Sequence, residues 1–175
     1  PAEAGTTFSK YEVYFGSNAG SPDARWLPVA GVAAHPRYNP QVFGAYDIAV
    51  VVLAADAPVA PLRVANALPD LAGTNVTHVG FGTTVSIDRN MKYGSGAFKY
   101  RVSLPVTEQS NITLRTGNGR SGICNGDSGG PALVSTNGGD VVVGVHSYVD
   151  DGDRCLNNGF SARTDIAYDF IAKYL

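Results

Sequence analysis

Residues 124–131 read Cys-Asn-Gly-Asp-Ser-Gly-Gly-Pro. Glycines around a serine let the backbone turn so that two N–H groups point at one spot. Gly126 has no side chain to block that approach and can take a positive φ. Two such donors stabilise the oxyanion of an acyl-transfer intermediate. The chemistry would be attack by Ser128 on a carbonyl, with Gly126 and Ser128 supplying the N–H groups. That chemistry needs a base within reach of the serine and an acid to orient the base. Asp47 opens an apolar run, Asp-Ile-Ala-Val-Val-Val-Leu. A buried carboxylate is costly unless paired, so Asp47 is either that acid or a strand-edge residue capping a turn. Asp127 could hold the serine loop through an ion pair. The plainer reading of "NGDSGG" is a flexible surface loop, but the full string "CNGDSGGPAL" is far more specific.

The segment also satisfies G-x-S-x-G, the nucleophile elbow of α/β-hydrolases. That elbow needs a helix after the serine, and then an acid and a histidine downstream. Here Pro131 and a β-rich stretch follow, and the one downstream histidine, His146, lies eighteen residues on. The elbow reading fits poorly and leaves an α/β-hydrolase esterase as a distant third reading.

The elements that must position these residues are mostly strands. "YEVYFG" (11–16), "WLPVAGVAA" (26–34), "NVTHVGFGTTV" (75–85), "FKYRVSLPVT" (98–107), "PALVST" (131–136) and "DVVVGVHSYV" (140–149) all read so. "DIAVVVLAA" (47–55) is a continuous apolar run, which fits a strand buried on both faces. "HPRYNP" is a turn, and the proline-punctuated stretch 56–74 is the best linker. The last segment, "TDIAYDFIAKYL", has helical spacing and a cap in Thr164 or Asp165. Twenty-one glycines and ten prolines in 175 residues fit tight turns between short strands. Charged residues are 16% of the chain and the net charge is −2, which leaves no basic surface for nucleic acid. No apolar run reaches membrane-span length, so no membrane partner is expected. The two cysteines, Cys124 and Cys155, lack metal-ligand spacing. They are either a disulfide or two buried thiols, and composition does not separate these.

The chain resembles the chymotrypsin/trypsin-type serine peptidases. "GDSGGP" is similar to that family's nucleophile signature and "YDIAVVVL" to the segment carrying its buried aspartate. "NALPDLAGTNVTHVGFGTT" resembles the interdomain crossing, "VVGVHSYV" the strand that binds substrate backbone, and "GFSARTDIAYDFI" the last strand and C-terminal helix. The implied fold is all-β: two antiparallel six-stranded barrels, the first incomplete, and a C-terminal α-helix. The implied units are residues 1–69 (partial first barrel and crossing), 70–163 (second barrel) and 164–175 (helix). Ser128 then matches the nucleophile, Asp47 the triad acid, and Gly126 with Ser128 the oxyanion hole. Ser147 matches the serine that hydrogen-bonds the triad acid, against the alternative of a strand serine facing solvent. Cys124 and Cys155 match the disulfide bridging the walls of the specificity pocket. Asp127 matches the acid that receives the new N-terminal amine after zymogen cleavage.

The family's histidine precedes its aspartate by roughly forty-odd residues, which would place it at or before residue 1. His35 lies twelve residues before Asp47 and is followed by Pro36, so it reads as a turn histidine. "PAEAGTTFSK" (1–10) is loop-like, and exposed loops are where nicking happens. The expectation is therefore a fragment whose N-terminal segment carries the base and is a partner of this chain. The competing reading is a non-catalytic homologue that binds a peptide through the same cleft. His78 reads as structural. His146 occupies a position where glutamate-cleaving relatives bind the substrate carboxylate, or else it is a strand histidine bonded to backbone.

By the resemblance, the pocket floor should lie at Gly122, six residues before Ser128, where trypsin-like enzymes carry aspartate. The resemblance implies walls near Tyr148, Val149 and Gly159, and Asn125 and His146 count among the expected pocket residues. Val149 would narrow the mouth. Small or medium apolar P1 side chains are expected first and acidic ones through His146 second, rather than Arg or Lys. "SNAGSPDA" (17–24) lacks the glutamates of the family's calcium loop, so no metal is expected, and no cofactor. The resemblance implies a peptide or protein substrate as partner and a secreted or periplasmic location. Two N-x-T sequons stand at Asn75 and Asn111.

Overall fold

The computed structural model describes residues 11–84, 97–150 and 155–175. The loop expected over residues 1–10, the strand end expected at Val85 and residues 151–154 lie outside them.

Two β systems form. The first is a three-stranded antiparallel sheet in the order β1 (Glu12–Phe15), β2 (Arg25–Ala34), β3 (Ala49–Leu53). The second comprises β4 (Arg63–Val64), β5 (Asn75–Gly80), β6 (Tyr100–Gln109), β7 (Thr113–Thr116), β8 (Pro131–Thr136), β9 (Gly139–Val149) and β10 (Gly159–Arg163). Its order is β10-β7-β6-β5-β8-β9, and β10 pairs back onto β9, so six strands close into an antiparallel barrel. Closure leaves no free edge, which strand sequences of this alternating kind otherwise have to protect.

The barrel interior follows from period-two alternation. Val76 and His78 of β5, and Leu104 and Val106 of β6, are buried while their neighbours are not. Leu71, Val76, Val106, Leu114, Ala132 and Val143 form the barrel core. Truncating Leu114, which is wholly buried, would cost roughly 2–5 kcal/mol. A second cluster joins the halves: Ile48 packs on Ala162, Ala167, Phe170 and Ile171, with Ala33 and Val50 of the first sheet against it.

Four local features differ from the sequence expectation. β3 was expected to be buried on both faces, yet Val51 and its cross-strand partner Val32 are 45% and 55% exposed. The described sheet has three strands, and among the described residues that face is left exposed. The linker 56–74 contains β4, which pairs in parallel with Val141–Val142 of β9, and its Leu71 is pinned by a hydrogen bond to Gln109. β7 was not anticipated, because four residues with a central arginine carry no clear alternation. The terminal helix is a single α turn, α1 (Tyr168–Ile171), between two 3-10 turns. Thr164 does not cap it, since its hydroxyl donates instead to the Val142 carbonyl.

Candidate active site

The loop 124–131 is pinned on two flanks and braced within itself. Asp127 Oδ1 accepts the Gly82 N–H at 2.7 Å and Oδ2 the Cys124 N–H at 2.9 Å. The Asn125 carbonyl accepts Thr83 N–H at 3.0 Å, tying the loop to the end of β5. On the other flank Gly129 N–H donates to the His146 carbonyl and His146 N–H to the Gly130 carbonyl, at 2.9 and 2.8 Å. The ion pair expected for Asp127 is replaced, among the described residues, by these two backbone donors. A carboxylate accepting main-chain N–H groups holds a loop as firmly as a salt bridge, without a second side chain.

The same loop needs its glycines. Gly126 has φ +94°, and a Cβ there would sit 3.2 Å from Gly82 Cα. Among the described residues the N–H groups of Gly126 and Ser128 reach no acceptor, and Ser128 itself is exposed. An exposed hydroxyl thus stands beside two uncommitted donors on a fixed loop.

Asp47 comes from the first system, just ahead of β3. Tyr46 before it has φ +53°, rare for a residue with a side chain, and its carbonyl takes the Ile48 N–H at 2.8 Å. This tight bend sends Ile48 into the joint core and leaves Asp47 half-buried. Ser147 Oγ donates to Asp47 Oδ2 at 2.7 Å. Ser147 therefore does not face solvent as a bare strand serine would.

Ser128, Asn125, His146, Ser147, Tyr148 and Val149 line one cavity of about 220 Å³. A neighbouring cavity of about 280 Å³ reaches Gly122, Asp127, His78 and Cys155. Gly159 packs so closely on Ile123 that a Cβ would collide with that side chain. Cys124 and Cys155 are joined in a disulfide. Of the expected pocket residues, Asn125, His146, Tyr148 and Val149 thus share a cavity with Ser128. Gly122 lines the adjoining one, and Gly159 backs the Ile123 segment.

None of the chain's three histidines meets Ser128 or Asp47 in a hydrogen bond. His35 is buried in a turn, its Nδ1 accepting Arg37 N–H and its ring stacked on Tyr46 at 4.6 Å and edge-on to Phe170 at 4.9 Å. His78 and His146 lie inside the barrel, bonded to each other across 2.9 Å, and His146 Nδ1 is 3.1 Å from the Asp127 carbonyl. Burial, with the neighbouring imidazole second, lowers the His78 pKa to about 3. Burial likewise holds His146 below the ordinary histidine value, with the Asp127 contacts and the Pro131 carbonyl opposing it. The link from His78 to the serine loop escaped the sequence reading. The alternation of Val76 and His78 already carried the signal that the imidazole points inward.

The family described as Trypsin matches residues 4–171. Among solved structures the chain is similar to neuropsin, a serine protease expressed in the limbic system of mouse brain. The two are 20% identical, with a TM-score of 0.77 over 95% of this chain and 80% of that one. No curated protein matches the sequence.

Proposed function

Because this chain belongs to the trypsin family and has the fold of the chymotrypsin-type serine proteases, we propose that it acts as a secreted endopeptidase through an acyl-enzyme. Ser128 Oγ attacks the scissile carbonyl and passes its proton to a histidine. Asp47 orients that histidine, and the Gly126 and Ser128 N–H groups hold the oxyanion. The histidine then protonates the leaving amine, and water repeats the sequence to release the acid. The observation that carries this reading is the exposed serine on a pinned loop with two uncommitted N–H donors beside it.

The histidine comes from a segment N-terminal to residue 1. Two facts support this: the three histidines present are committed elsewhere, and the exposed Val32–Val51 face suits further strands of the same precursor. For P1 we favour small or medium apolar side chains. Gly122 offers no charge for Arg or Lys, and Val149 lines the cavity beside Ser128. Both ring nitrogens of His146 are already engaged, which counts against an acidic P1 bound through it. The disulfide suits an oxidising compartment, and no described helix is long and apolar enough to cross a membrane.

The test is labelling of the complete protein, upstream segment included, with a fluorophosphonate. Ser128 takes the label and Ser128→Ala does not. A folded complete protein that leaves Ser128 unlabelled is instead a non-catalytic homologue.

A further inference from the structure

The Asp127 carbonyl and the Ser128 N–H belong to one peptide unit, and that unit is trans. They therefore point in opposite directions. The carbonyl is taken by two donors, Gly130 N–H at 2.9 Å and His146 Nδ1 at 3.1 Å, both on the barrel side. The N–H is left facing away from the barrel.

A carbonyl can only accept, so His146 carries its proton on Nδ1. Its Nε2 is then a lone pair, and His78 Nδ1, at 2.9 Å, must be the donor. The chain ends at His78 Nε2, which is buried and has no partner among the described residues. In this tautomer it is a bare lone pair rather than an orphaned N–H. Each tautomer follows from the one before it, and the series starts at the peptide beside the nucleophile. Burial keeps both rings neutral, as the pattern requires.

We infer that the His78–His146 pair is a positioning device that fixes the Asp127–Ser128 peptide plane from inside the barrel, and so aims the Ser128 N–H at the oxyanion. The inference rests on the reading of Ser128 as nucleophile. Gly126 and Gly129, at φ +94° and +83°, flank this stretch and resist rotation poorly. With His146 Nδ1 removed, Gly130 N–H alone would hold the carbonyl. His146 is well placed for the task because its own N–H and carbonyl already bind Gly130 and Gly129. It touches no reacting atom and is a positioning residue.

The test uses the complete protein and p-nitrophenyl acetate. His146→Val removes the donor, and His146→Asn keeps an amide N–H near the Nδ1 position. The expected result is a kcat about tenfold lower in His146→Val, less than for outright loss of an oxyanion donor, with KM nearly unchanged and most of kcat regained in His146→Asn. In nitrogen-15 spectra of the wild type, His146 should be protonated at Nδ1 and His78 unprotonated at Nε2. The opposite tautomer at His146 overturns the proposal whether or not the variants fold. So does a folded His146→Val with wild-type kcat, or a folded His146→Asn no better than His146→Val. A wild type inert to both ester and fluorophosphonate sinks the nucleophile reading and this proposal together. An active wild type with an unaffected His146→Val variant sinks this proposal alone.

Discussion

Ser147 donates its hydroxyl to Oδ2 of Asp47 across 2.7 Å, joining residues 100 positions apart and on different β systems. On the proposed reading of Asp47 as the acid, the bond would leave Oδ1 to face a histidine. Ser147→Ala should cost about 1 kcal/mol, the usual worth of such a bond, and lower kcat/KM several-fold. Ester hydrolysis by the complete protein, alongside thermal unfolding, measures both. An unchanged kcat/KM would mean that Asp47 is held adequately by its bend at Tyr46.

His35→Ala should leave turnover largely intact while lowering stability by roughly 2 kcal/mol, since the ring is lost from between Tyr46 and Phe170. Unfolding midpoint and kcat on the same preparation separate the two effects. A large loss of kcat with the fold preserved would make His35 the base after all.

Acid should destabilise the protein in a window set by His78. Its proton binds near 6.5 in the unfolded chain and near about 3 in the folded one. Between those values the unfolded state holds more protons, so this contribution is intact above pH 6.5 and drains as pH falls, by about 1.4 kcal/mol per pH unit for one group. His146 is depressed in the same direction, with Asp127 opposing. Melting temperatures from pH 7.5 down to pH 4.5 should drop along this slope and flatten in His78→Leu. Equal slopes in both proteins would trace the acid sensitivity elsewhere.

Reduction of the Cys124–Cys155 bridge releases a loop of 31 residues' separation, worth about 4 kcal/mol by chain entropy. Because Cys124 begins the serine loop and its N–H binds Asp127, fluorophosphonate labelling should slow as well. Comparing labelling rates with and without dithiothreitol, below the melting temperature of the reduced form, checks this. Equal rates would assign the bridge to stability alone.

The fold class and the principal candidate residues were legible because their signals are local. The string around Ser128 fixes a turn, and the run after Asp47 fixes a strand. What the sequence hid is set by pairing at a distance. His78 and His146 are 68 residues apart and meet only because β8 lies between their strands in a closed barrel. β4 is two residues long and exists only by its pairing with β9. The exposure of Val32 and Val51 depends on how many layers surround their strands, which apolarity cannot report. Thr164 has the right residue type for a cap, but its hydroxyl is turned to the Val142 carbonyl of β9 and accepts no cap N–H.

The closed barrel and the open sheet also divide the molecule by how it would unfold locally. Every barrel strand is hydrogen-bonded on both sides, so its central amides should exchange with solvent only in global opening. In the described part of the open sheet, β1 and β3 each have a neighbour on one side alone, and their amides should exchange through smaller, cheaper fluctuations. Ser128 and the peptide behind it thus ride on the slow-exchanging body, while Asp47 rides on the fast one and is moored to it by Ser147 and the packing of Ile48. Anything that quiets the open sheet would therefore steady Asp47 against Ser128, and under the proposed mechanism the order of that half would govern activity without altering a single atom of the serine loop.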